Sequence, residues 1–143
     1  MKNKTDTRYV QQRGTNDCGI AALAMLYEIP YHTSRDLVLA AETGIFDGTT
    51  IDHARVVGTA MADPCRVWYC TAANRDLLIE RLRGRQAILV VPAKDFKVSG
   101  DYHALYWTGK YVLDPSPYGK YGRKGVKALK TFIEAWVLHS EAE

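Results

Sequence analysis

The stretch Gln12-Arg13-Gly14-Thr15-Asn16-Asp17-Cys18-Gly19-Ile20-Ala21-Ala22-Leu23-Ala24-Met25-Leu26 changes character at its one cysteine. Polar, turn-forming residues precede Cys18, and the apolar pattern of a buried helix follows it. Asn16 and Asp17 belong to the residue types that cap helix N-termini, so Cys18 is predicted in or beside the first turn. Unpaired N–H groups and the positive end of the helix dipole favour an anion there, which makes this thiol a candidate nucleophile. Gln12 lies upstream, where it can fold back over the same spot and offer an amide N–H to a developing oxyanion. A cysteine at the edge of an apolar helix is more often a small buried hydrophobe. The assignment therefore needs partners elsewhere in the chain.

Tyr102-His103-Ala104-Leu105-Tyr106-Trp107-Thr108-Gly109-Lys110-Tyr111-Val112-Leu113-Asp114-Pro115 supplies them. Two strand-like runs flank Gly109-Lys110, and glycine at the first central position suits a type II′ hairpin turn. Counting outward from that loop pairs Thr108 with Tyr111, Trp107 with Val112, Tyr106 with Leu113 and Leu105 with Asp114. His103 shares the face of Leu105, so it is a diagonal neighbour of Asp114, about 7–8 Å away at the backbone and within reach of a ring. With Cys18 this makes a Cys-His-Asp arrangement, in which His103 takes the thiol proton and Asp114 fixes the tautomer. The other histidines fit less well. His32 follows Pro30 in a short connection, His53 opens a helix and His139 sits in the tail. Asp52 and His53 are adjacent on a helix and cannot face each other.

The 143 residues suit a single domain, 1–143, large enough to bury a real core. Apolar residues at 47% and charged residues at 24% are an ordinary globular balance. A net charge of +3 without a long basic run does not point to nucleic acid. Arg8, Arg13 and the basic residues around Lys120 to Lys130 could still touch phosphate, but solvated loops explain them as well. Cys18, Cys65 and Cys70 are odd in number and form no C-x-x-C pair, which argues against a disulfide framework or a zinc site. No cofactor or metal is expected. The polar opening is unlike a signal peptide, and no apolar run is long enough to span a bilayer. A cytoplasmic protein with no membrane partner is the expectation.

In order, residues 1–9 are predicted as a polar lead. Helices follow at Cys18 to about Glu28, at Arg35 to about Glu42 with Thr33 or Ser34 as cap, and from Ile51 to Met61. Gly58 interrupts the last pattern. Cys65 to Thr71 reads as a strand, which places Cys65 and Cys70 on opposite faces. Asn74 caps a helix over Arg75 to Arg83. The apolar run Ala87 to Val91 reads as a central strand, and Lys94 to Asp101 as a polar loop. Helices crowd the first half and strands the second, so the fold class is α+β with a mainly antiparallel sheet. The last residues, 139–143, are expected to fray.

Gln12, Asp17-Cys18-Gly19 and the Ala-rich helix with Met25 resemble the opening of bacterial peptidase family C39. These are papain-like cysteine peptidases that cut double-glycine leader peptides. The likeness continues through Asp47-Gly48-Thr49-Thr50, Asn74 to Leu82, Ile88 to Val91, His103 and Asp114-Pro115 with Gly119. Phe132-Ile133-Glu134-Ala135-Trp136 resembles the family's closing helix. The resemblance covers about residues 8 to 138. It implies a papain-like fold, with a helical half carrying the cysteine packed on an antiparallel sheet carrying His and Asp. It also implies Cys18 as nucleophile, His103 as base, Asp114 as orienter and Gln12 as oxyanion donor, acting on a peptide or protein substrate. C39 domains typically sit at the front of a transporter, and the closing Trp-Thr-Gly of many members is here Trp136-Val137-Leu138. The expectation is thus a free-standing thiol hydrolase of peptide or amide bonds rather than a double-glycine peptidase. The alternatives are a transglutaminase-like acyl or amine transferase and a catalytically idle C39-like binding domain.

Overall fold

The computed structural model describes residues 8–117 and 125–141. Most of the polar lead (1–7), Gly119 and the end of the tail (142–143) lie outside the described residues. Helix α1 (Cys18–Tyr27) starts at the cysteine, and Glu28 closes it in the left-handed conformation. Every residue from Gly19 to Leu26 is buried, so α1 is enclosed on all sides instead of being amphipathic. Helix α2 (Tyr31–Ala41) begins earlier than the predicted Arg35. Pro30 is the N-cap residue, and its carbonyl accepts the N–H groups of Thr33 and Ser34, both at 3.1 Å. Ser34 does not cap. Its buried hydroxyl donates to the Ile20 carbonyl at 2.8 Å and locks α2 onto α1.

Helix α3 (Ile51–Ala60) is capped by Thr50, with His53 closing a reciprocal capping box. The Gly58 that interrupts its pattern is a packing requirement. A Cβ there would lie 2.5 Å from Pro64 Cα and 2.6 Å from the Tyr27 hydroxyl. Helix α4 (Arg75–Leu82) starts after Asn74, whose side chain serves Thr71 N and the Tyr69 carbonyl instead of the helix.

Five antiparallel strands form one open sheet: β1 (Cys65–Tyr69), β2 (Ala87–Pro92), β3 (Tyr102–Trp107), β4 (Val112–Leu113) and β5 (Glu134–Leu138). Their order is β1-β5-β2-β3-β4, which puts the apolar run of β2 at the centre. The hairpin register is the one counted from Gly109-Lys110, with Tyr106 opposite Leu113 and Trp107 opposite Val112. The expected closing helix at Phe132 to Trp136 is corrected. Helix α5 (Gly125–Thr131) ends before it, and Glu134 onward forms β5. Pairing explains the change. Trp136 stands opposite both Val67 and Ile88, and Ala135 to Leu138 are all buried between β1 and β2.

Both sheet faces are covered. Ile88 and Val90 of β2 pack with α1, α2 and α3, whereas Ala87, Leu89 and Val91 pack with α4, α5 and Phe96. Double burial accounts for the unbroken apolar run in β2. Cys65 joins the first cluster and Cys70 flanks the second, on opposite faces. The loop expected as polar from Lys94 to Asp101 begins with a 3-10 turn, Ala93–Phe96, whose Phe96 is buried. Likewise His139–Glu141 forms a short 3-10 turn. Among the described residues no helix is long and apolar enough to cross a membrane.

Candidate active site

Packing of α1 against β3 sets the site. The Ala104 N–H, at the start of β3, donates to the Cys18 sulfur at 3.4 Å. The neighbouring residue is His103, 2% exposed, whose Nε2 meets Asp114 Oδ1 at 2.7 Å. The same carboxylate oxygen accepts the Ser116 N–H at 2.9 Å. With Nε2 committed to Asp114, the second ring nitrogen is the one left to interact with the Cys18 side chain, which is among the groups that raise the His103 pKa. The Phe96 ring lies beside the imidazole, centroids 6.1 Å apart and tilted by 41°. Cys18, His103 and Asp114 are thus brought together.

Burial is the largest single influence on His103 and disfavours its charged form. Hydrogen bonds to Asp114 and Cys18, with the charges of both, outweigh it and raise the pKa from 6.5 to about 9. The imidazole is therefore held as a cation beside the Cys18 sulfur at neutral pH. An imidazole that holds a proton beside sulfur, backed by a buried carboxylate, can take the proton of a thiol and later donate it to a leaving group.

Gln12 stands apart from this group. It is buried, its N–H donates to the Pro115 carbonyl at 2.7 Å, and its amide Nε2 donates to the Gly14 carbonyl at 2.8 Å. The cleft that Cys18 and His103 line does not include it. Its Oε1 is buried without a partner among the described residues.

Asp17 holds the N-cap position of α1, but its side chain makes no capping hydrogen bond to the helix. Its carboxylate accepts the N–H groups of Arg13 and Gly14 at 2.7 and 2.8 Å and the Tyr31 hydroxyl at 2.6 Å. That clamp shapes the loop leading into Cys18, while the Arg13 guanidinium covers the Tyr31 ring at 4.2 Å. The residue types at Asp17 and Tyr31 were visible in the sequence, but their meeting depends on how α2 folds back. Gly19 also has a tertiary reason. A Cβ there would fall 2.3 Å from Thr49 Cβ, so only glycine lets the 47–50 segment close on the helix start. The backbone donors of Ala104 and Ser116 carry no sequence signal at all. His53, the other buried histidine, spends its ring on the Thr50 N–H and on Glu42.

The three thiols should therefore differ in reactivity. Burial pushes Cys65 up to about 11 and also raises Cys70, whereas Cys18 touches an imidazolium and a backbone donor. Iodoacetamide near pH 7.5, read by peptide mapping, is expected to label Cys18 at least about tenfold faster than either. Equal labelling of Cys18 and Cys70 would refute an activated thiol. Compared with known proteins, the chain matches no family model and no curated protein.

Proposed function

We propose that this protein is a thiol hydrolase of the C39-like, papain-like kind, cleaving a peptide or amide bond through an acyl-enzyme on Cys18. The observation that carries the reading is the buried His103 Nε2–Asp114 Oδ1 contact of 2.7 Å in the same cleft as Cys18, whose sulfur accepts the N–H of the next residue, Ala104, at 3.4 Å. Cysteine on the first turn of an enclosed helix, packed on an antiparallel sheet bearing His and Asp, supports the papain-like description.

In the mechanism, His103 has taken the thiol proton of Cys18, and the resulting thiolate attacks the carbonyl carbon, so that a C–S bond forms as the carbonyl electrons move to oxygen. The Cys18 N–H, in the first helical turn, has no acceptor within the helix and is suited to hold that oxyanion. His103 gives its proton to the leaving nitrogen, and the C–N bond breaks. The now neutral imidazole takes a proton from water, the resulting hydroxide attacks the thioester, and acid is released with the sulfur restored.

The test is a mixed pool of unstructured peptides, digested by the protein and read by mass spectrometry. New C-termini formed with uptake of one water are expected. The same digestion with a dansylated primary amine separates transfer from hydrolysis, since dansyl-tagged products in place of free acids would make the protein an acyltransferase. Intact peptides in both arms, with an unmodified Cys18, would leave only the binding-domain alternative.

A further inference from the structure

From the charges around the cleft we infer that the substrate segment it takes is cationic, with Lys or Arg side chains flanking the amide that is attacked. The inference rests on the thiol-hydrolase reading of the same site. The chain as a whole is basic, with 19 Lys and Arg against 16 Asp and Glu. Its cleft is the reverse. The cavity of about 760 Å³ that holds Cys18 and His103 is also lined by Asp47, Asp101 and Glu134. Among the described residues no Lys or Arg lines it, and Lys94 and Lys97 on the adjoining turn stand outside. The positive charge of His103 is already matched by Asp114 at 2.7 Å.

Asp47 and Asp101 are exposed, and neither has an ion pair among the described residues. Glu134 Oε2 accepts the Trp136 indole N–H at 2.7 Å, which holds its carboxylate at the start of β5. These groups come from three separate segments: the one before α3, the one before β3, and the start of β5. A chain crossing the cleft therefore meets negative charge on more than one side. Carboxylates on the walls of a concave site focus its field and concentrate a cationic segment there. Thr49 adds a separate sign of an absent ligand. Its Oγ1 in the same cleft is buried beside Gly19 without a hydrogen-bond partner among the described residues.

The experiment uses fluorescein-labelled decalysine and decaglutamate with the full-length Cys18→Ala protein, read by fluorescence anisotropy at 20 and 300 mM salt. Decalysine is expected to bind about tenfold or more tighter than decaglutamate at the lower salt, with most of the difference lost at the higher. The double substitution Asp47→Lys/Asp101→Lys is expected to remove that preference. Asp47→Asn/Asp101→Asn repeats the test without added charge, and circular dichroism checks the fold of both. In the wild type, decalysine should also slow labelling of Cys18 by neutral iodoacetamide. Equal binding of the two peptides overturns the inference, as does decalysine binding that survives both double substitutions or leaves Cys18 unshielded. The hydrolase reading fails by a different result: a Cys18 no more reactive than Cys70 and a peptide pool left intact, whatever decalysine does. Efficient cleavage that ignores flanking charge would sink the inference and leave the hydrolase standing.

Discussion

Cys18→Ala is expected to lower turnover of any cleaved peptide by about 10⁴–10⁶-fold, to background, while substrate is still retained. The magnitude follows from chemistry that no other group in the cleft can replace. Cys65 lies in the core packed with α1, α2 and α3, and Cys70 beside the opposite one, so neither lines the cleft. Removing one half-exposed sulfur leaves the His103–Asp114 pair intact, so the fold should survive and the comparison stays clean. His103→Ala should cost as much in rate, but it also strips the partner from a buried carboxylate, which is destabilising by several kcal/mol. Wild-type turnover by folded Cys18→Ala would remove this sulfur from the chemistry.

Asp114→Asn is expected to reduce turnover by roughly 10²–10⁴-fold and to move the alkaline limb of the rate profile to lower pH. His103 must be an imidazolium to protonate the leaving nitrogen, so the wild-type rate should fall as pH rises through about 9. Burial alone would push that value below 6.5, and the hydrogen bond to Asp114 is the largest influence opposing it. An amide in its place keeps the shape but withdraws the charge, so the limb retreats toward 6.5 or below. Stability carries the same sign. A folded-state pKa raised above the unfolded value contributes stability that is complete below about 6.5 and lost as pH rises through about 9. The difference in unfolding free energy between wild type and Asp114→Asn, measured by urea titration, should therefore shrink across that window. A limb that stays near 9 in the variant would show that Asp114 does not set it.

The parts of this site that could be read in the sequence are those governed by local rules. Gly109-Lys110 forces a two-residue turn, the turn forces the register, and the register puts His103 and Asp114 on one face. Cys18 falls at a helix start because the change from polar to apolar residues is abrupt there. Illegible parts depend on what the chain meets after folding. Ser34 looks like a cap, yet the carbonyl of Ile20 comes within 2.8 Å and takes its hydroxyl. Phe132 to Trp136 has no strong preference that separates helix from strand, and the gap between β1 and β2 decides it. Its distance along the chain puts Gln12 within reach of Cys18. Its side chain is instead caught by the carbonyl of Gly14, two residues on, within a loop that Asp17 ties together.

The place of β5 has a consequence for how the protein comes into being. It is the last strand in sequence, yet it lies between β1 and β2, pairing with both. While a ribosome is still making the chain, β2 and β3 can zip into a hairpin-like pair, but β1 has no neighbour to join. Its Val67 and Trp68 and the inner edge of β2 then wait exposed until residues 134–138 emerge. Such unpaired edges are where nascent chains associate wrongly, and pairings this distant in sequence form slowly. Completion of the sheet thus follows the pairing of β2 with β3, and the inner edge of β2 is the edge that stays open until then.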